Sequence, residues 1–338
     1  MLRAKRELPI LIDFLTTTPK KLAQPDGMGE NGEGAIAETN GMRWVTVVDE
    51  LSASRAAMFG FGLVFLAAVS VAHSVAHGDD ASDAPVTLVP HRAVYDLSLG
   101  DTRSDSQVAG VRGRILYDFD GNTCQGYSLD FRQVSELDTG EGKISTSDLR
   151  STTWEGADAK SFKFTSQNFV DENLVDSVDG HAEHDATKTA VALEKPARKS
   201  LNFQAGVVFP TEHMVRVINA ARLGQSILNF PVYDGSETGD KVFDTLTVIG
   251  HKIASGERDH DDAASTEPKL ASVPRWPVTI SYFERGKGQD GAEKTPDYAI
   301  GFELYANGIS RNLSLDYNDF VVTGKLTSLQ IKDAKPCR

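Results

Sequence analysis

From His91 onward the chain alternates. "HRAVYDLSL" puts Ala93, Tyr95 and Leu97 on one side and Arg92, Asp96 and Ser98 on the other. That period of two is the mark of a strand with one covered face. "GRILYDFDGN" and "CQGYSLDFRQV" continue the pattern on either side of an Asp-Gly-Asn turn and predict a hairpin. Segments of the same kind follow in "SDLRSTTWE", "SFKFTSQNF", "LVDSVDGHAEHD" and "TAVALEKP". Later ones are "DTLTVIGHKI", "WPVTISYFER", "DYAIGFELYANG", "ISRNLSLDYNDFVVTG" and "LTSLQIKD". No helix-length segment alternates with them. This excludes a parallel sheet built from strand–helix–strand units and predicts an all-β chain of antiparallel meanders.

One stretch changes period. "FPTEHMVRVINAARLGQS" places Met214, Val217, Ile218 and Ala221 at i, i+3, i+4 and i+7, which predicts one prominent amphipathic helix. Pro210 blocks extension backwards, Thr211 is expected to cap the first turn, and Gly224 suits the left-handed position after the last. Its apolar stripe needs cover, so the helix should lie over an open end or face of the sheet.

Upstream the pattern is of another type. "RAAMFGFGLVFLAAVSVAHSVAHG" runs apolar from Ala56 to Ala72 behind a single positive charge. Two small-x-small sites close it, Ser70-Val71-Ala72 and Ser74-Val75-Ala76. A membrane span needs about 20 apolar residues. The segment 55–76 therefore reads as a cleaved signal peptide, with an uncleaved anchor as the alternative, and the chain is expected to be periplasmic. Residues 1–54 form a leader, explained by a start at Met42 or Met58 or by a disordered extension. The literal GxGxxG at Gly27, Gly29 and Gly32 lies in that leader without a preceding strand or a following helix, so it is a chance match. An acidic linker, 77–88, leads to one domain over 89–338.

Composition narrows the partners. The 338 residues are 40% hydrophobic and carry a net charge of -13, an acidity that belongs to the part beyond residue 76. Nucleic acid is excluded, because phosphate contacts need clustered Lys and Arg. Anionic lipid headgroups exert no electrostatic pull on such a chain.

Candidate chemistry is sparse. There is no HExxH, GxSxG, P-loop or CxxC. His181 and His184, with Asp185, would point to opposite faces if they lie on a strand. The run "RDHDD", Arg258 to Asp262, lacks the spacing of a calcium loop and belongs to "SGERDHDDAASTEPKLASVP", expected as an exposed loop. Trp154, Trp276 and Phe283 read as wall or core residues. No catalytic residue, cofactor or metal site emerges, and the chain is expected not to be an enzyme. The two cysteines, Cys124 and Cys337, permit one intramolecular disulfide, which an oxidising compartment favours. An intermolecular bond and two unpaired thiols are the alternatives.

The ordered series "HRAVYDLSL", "GVRGRILYDFDGNTCQGYSLDFR", "TSDLRSTTWEGADAKSFKF", "VVFPTEHMVRVINAARLG", "FPVYDGSETGDKVFDTLTVIG" and the closing Lys335-Pro336-Cys337 resembles the EipB family of periplasmic cell-envelope integrity proteins of Gram-negative bacteria. The resemblance implies a β-spiral, that is, antiparallel strands curled into an open barrel. It implies a disulfide at Cys124 and Cys337 that clasps the end of a curled sheet left unclosed by hydrogen bonds. It further implies a non-enzymatic monomer that supports the envelope through a periplasmic protein partner of the tetratricopeptide-repeat type. The alternative is a carrier of lipid or lipoprotein acyl chains, which needs a hollow interior of several hundred Å³.

Overall fold

The computed structural model describes residues 84–337 apart from 105, 141, 256, 258–260 and 287–293. The leader, the signal segment and the GxGxxG match lie outside the described residues. The alternating segments form a 14-stranded sheet in which every pair is antiparallel. Its first strands are β1 (His91–Thr102), β2 (Gly110–Asn122), β3 (Gly126–Asp138) and β4 (Ile144–Glu155). Then come β5 (Ser161–Val170), β6 (Asn173–His184), β7 (Lys188–Lys195) and β8 (Lys199–Gln204). Helix α1 (Pro210–Arg222) follows, then β9 (Ile227–Val232), β10 (Phe243–Ile249) and β11 (Arg275–Glu284). The chain closes with β12 (Tyr298–Tyr305), β13 (Ser310–Asp316) and β14 (Phe320–Ile331).

Each strand pairs with its neighbours in sequence and β14 pairs with β1, with one exception: β8 and β9 form the two free ends of the sheet. The ring of strands is complete save for this seam, and α1 is the connection across it. The sheet is open, as expected. The alternation works as predicted, with Ala93, Tyr95 and Leu97 of β1 all buried.

Side chains pack the inner face in three clusters. One gathers Tyr95, Leu97, Leu149, Tyr298, Tyr317 and Phe320. A second sets Val217, Ile218 and Ala221 of α1 against Phe119, Trp276, Val278 and Leu304. The third joins Phe162, Phe164, Val191 and Leu193 to Phe209 and Tyr233. The helix thus hides its apolar stripe against the sheet, because nothing else could cover it.

Four expectations need correction. First, β8 and β9 were not foreseen. Second, Asp120, Gly121 and Asn122 end β2, and the turn comes after them, where the Asn122 side-chain oxygen accepts the N–H groups of Cys124 (2.9 Å) and Gln125 (2.8 Å). Third, "ISRNLSLDYNDFVVTG" is two strands. It breaks around Asn318, which sits at φ 68 and donates its side-chain amide to the carbonyls of Pro296 and Asp297. β14 then absorbs "LTSLQI". Fourth, the segment 255–274 is not simply an exposed loop. It forms 3-10 turns at Ala263–Thr266 and Pro268–Leu270 and buries Ala264 and Leu270. Asp262 there pairs with buried Arg311 (2.8 Å), beside the buried Arg275–Glu303 pair (2.6 Å). Charged strand residues shut off from water need such partners, which is why the segment is held down.

Candidate functional site at the seam of the sheet

The cysteines come first, as the residues singled out by sequence. Cys124, in the turn between β2 and β3, is bonded to Cys337, with 5.7 Å between their Cα atoms and a sequence separation of 213. The tail reaches it by crossing the start of β1. Lys332 donates its backbone N–H to Pro90 and its ammonium to Asp118 and Phe119, and the Asn122 amide holds the Lys335 carbonyl. Strands β14, β1 and β2 are adjacent in the middle of the sheet. The bond therefore does not clasp the unclosed end. It fastens the place where the two halves of the chain meet, because β14 is not an edge strand but the partner of β1.

The opening lies elsewhere, between β8 and β9, and is held by few contacts. A parallel bridge joins Val208 to Val232. In it Val208 donates to the Pro231 carbonyl (2.8 Å) and Tyr233 donates to the Val208 carbonyl (3.0 Å). Phe209 is fully buried, its ring stacked on Phe162 (5.2 Å) and on His184 (4.7 Å). Tyr233 meets Phe162 and Phe164 edge-on and donates its hydroxyl to the Gly239 carbonyl (2.7 Å). Gly235, at φ 70, lets the chain pass where a Cβ would stand 2.5 Å from the Phe164 ring.

Helix α1 leads off from the seam and packs against the second cluster. Thr211 does not cap it. Pro210 occupies the start, so the cap position falls on Phe209, whose side chain has no acceptor. The orphan N–H groups of a helix start need a partner. Glu155, the last residue of β4, supplies it, accepting from Thr211 (2.7 Å) and Glu212 (2.8 Å). At the other end Arg222 donates to the carbonyls of Ala84 (2.9 Å) and Ala306 (3.2 Å). Gly224 takes the left-handed position expected of it, at φ 71.

Two titratable groups are buried here. Burial pushes the Glu155 carboxyl up to about 7, against the pull of the two N–H bonds and of the Thr211 hydroxyl. Burial lowers the His213 imidazole to about 4, and the nearby Arg216 charge adds to that. Glu155 was not foreseen as a site residue. Its signal in the sequence was only an acidic residue at the end of an alternating strand, which many exposed carboxylates share.

The outer faces differ. Over β1 to β4, arginines answer carboxylates across strands: Arg92 with Asp118, Arg114 with Asp96, Arg112 with Glu136, and Arg132 with Asp148. Over β9 and β10, Ile227 and Val248 stand exposed, beside a cavity of about 270 Å³ lined by Phe230, Pro231, Leu246 and Phe283. A second cavity of about 300 Å³ is lined by polar residues, Asp261, Asp262 and Lys325 among them.

The remaining candidates separate. His181 is exposed on β6 whereas His184 stacks on Phe209, and Asp185 accepts the N–H groups of Thr187 and Lys188 in the next turn. No group of three His, Cys, Asp or Glu side chains suited to a metal occurs among the described residues. Arg258 to His260 lie outside them. Trp276 is buried in the core, while Trp154 lies under the Lys163 ammonium (5.4 Å). Among the described residues no helix is long and apolar enough to cross a membrane.

A family described as EipB-like matches residues 82–333. The cell envelope integrity protein EipB of Brucella abortus (strain 2308) is 41% identical over 256 residues, which is 76% of this chain and 89% of that protein. A crystal structure from Brucella abortus, described as a beta-barrel-like protein of domain of unknown function DUF1849, matches with a TM-score of 0.67 at 40% identity. It covers 73% of this chain and 100% of that one.

Proposed function

The chain belongs to the EipB-like family, and from that premise we propose that it supports cell-envelope integrity from the periplasm by binding another protein, without catalysis. The observation that carries the binding reading is the packed inner face. Three clusters of the chain's own side chains pack there, and α1 closes against one of them. A carrier of lipid or lipoprotein acyl chains needs an enclosed apolar hollow. The groove at β9, lined among others by Pro231, Leu246 and Phe283, lies instead at a free sheet edge of the kind that accepts partner segments. A tetratricopeptide-repeat protein is the partner class we propose, following the family resemblance.

The test is affinity capture of the oxidised mature protein from envelope extract, with proteins and lipids both identified. Binding predicts one protein retained in near-equal amount and no stoichiometric lipid. Recovery of about one acyl lipid per chain without a protein would overturn it in favour of the carrier.

A further inference from the structure

The two free edges of the sheet are not equal, and hydrogen-bond parity shows how. In an antiparallel ladder alternate residues aim both of their backbone groups at the same neighbour. Asp185 donates to the Lys188 carbonyl (3.0 Å) in the turn before β7, so Lys188, Ala190 and Ala192 serve β6. Thr189, Val191 and Leu193 therefore serve β8, where they lie opposite Phe203, Leu201 and Lys199. That leaves Ser200, Asn202 and Gln204 aiming their N–H and C=O groups at the free edge. All three are exposed, and among the described residues no hydrogen bond reaches them from outside β7. The edge of β9 offers less. Val208 already takes the Pro231 carbonyl and the Tyr233 N–H, and Pro231 has no N–H of its own. Only Ile227 and Asn229 of β9 aim outward unused.

Sheet edges are commonly guarded by proline, by bulges or by free lysines. β8 has no proline, its register against β7 is unbroken, and Lys199 is tied to Asp240 (2.6 Å). On its inner side Leu201 and Phe203 are only partly buried, at the border of the third cluster. Charge singles out the same place. In a chain of net charge -13, the hairpin 188–204 carries Lys188, Lys195, Arg198 and Lys199 against Glu194 alone.

We infer that β8 takes up an extended acidic segment of a partner protein as an added strand. This rests on the binding reading above and names its contact. Apolar side chains of the segment cover Leu201 and Phe203, and acidic ones meet the basic hairpin. Alternation of the two kinds is what a strand with one covered face requires. The helical repeats of a tetratricopeptide-repeat partner cannot pair with a sheet edge, so the segment lies outside them.

The probe is a capped peptide of alternating valine and glutamate, long enough to span β8, added to the whole oxidised protein. Hydrogen exchange at single amides reads where it binds. With peptide at about ten times its Kd, the Ser200, Asn202 and Gln204 amides should slow about tenfold. Those of Ile227 and Asn229 should not change. A valine–lysine peptide should bind about tenfold more weakly, and high salt should narrow that gap. N-methylation of one alternate set of peptide amides should abolish the slowing, and of the other set should spare it. Asn202→Pro removes a free-edge N–H and no bond to β7, and should weaken binding about fivefold. No binding, slowing at Ile227 and Asn229 instead, equal binding of the lysine peptide, or indifference to N-methylation overturns the inference. Should Asn202→Pro fail to fold, the methylated peptides carry the test on the unaltered protein. The binding reading is judged apart: if Asn202→Pro captures the same envelope protein as its parent in equal amount, the edge is not the contact and binding stands.

Discussion

The junction of β1 with β14 and the seam between β8 and β9 are the two places where sequence-distant or non-pairing parts of the sheet must be held, and they are built in opposite ways. The junction has a ladder from His91↔Ile331 to Thr102↔Phe320, a tail laid across it, and a disulfide. The seam has one bridge, a stacked phenylalanine and a helix capped from another strand. A covalent bond at the better-paired site constrains the unfolded chain, closing a loop of 213 residues, more than it shapes the folded one. The seam's contacts are side-chain packing, which specifies a shape but opens locally at lower cost. Shape and stability are held in different parts of this molecule.

The largest effect should come from the junction. Cys337→Ser removes a loop constraint worth up to about 5 kcal/mol in the chain-entropy model. Calorimetry should show a clear fall in Tm, while α1 amides keep their protection relative to the β1 amides. If α1 loosened first, the disulfide would be holding the seam after all.

Phe209→Ala comes next. Truncating a buried phenylalanine costs about 3–5 kcal/mol. Because the ring joins β5, β6 and the start of α1, exchange should rise first in β8, α1 and β9, with the β1 and β14 amides changing only on global unfolding. Equal loss in both regions would erase the distinction between them.

Tyr233→Phe keeps the ring contacts and removes the hydroxyl bond to Gly239. A net loss of about 1 kcal/mol is expected in denaturant titration. The smallest effect belongs to the outer charge ladder. Arg114→Ala should leave the denaturant midpoint almost unchanged, since exposed pairs contribute little, and high salt should erase even that small change.

The comparison also separates what could be read from the sequence. Most strands were legible because long alternating runs such as "HRAVYDLSL" and "SFKFTSQNF" face a core on one side only. The two that were not, "KSLNFQ" and "ILNFPV", are the edges. Each has six residues; β8 has two partly buried apolar side chains, and β9 carries Ile227 outward and Pro231 within it. Pro231 is tolerable there because its missing N–H falls on the free edge, and its carbonyl receives Val208 instead. Short edge strands have weak period and breaker residues, so they resemble loops.

The seam's residues were hidden for a different reason. Thr211 was the expected cap because local spacing suggested it, yet the helix start was shifted by Pro210 and capped by Glu155, 56 residues away in the chain. The disulfide partners were nameable from parity and compartment, but their place was not. Nothing in the spacing of Cys124 and Cys337 says that β14 lies beside β1.

By itself, then, the sequence determined the class of structure: alternating strands, one amphipathic helix with its exit at Gly224, and two cysteines able to pair. Those are properties of side-chain period, backbone freedom at glycine and thiol chemistry, all of them local. Only the tertiary structure decided which neighbours fail to pair, where the bond lies relative to that gap, and which carboxylate answers the helix. Those depend on how strands far apart in sequence come together when a sheet curls, and on which charges that curling removes from water.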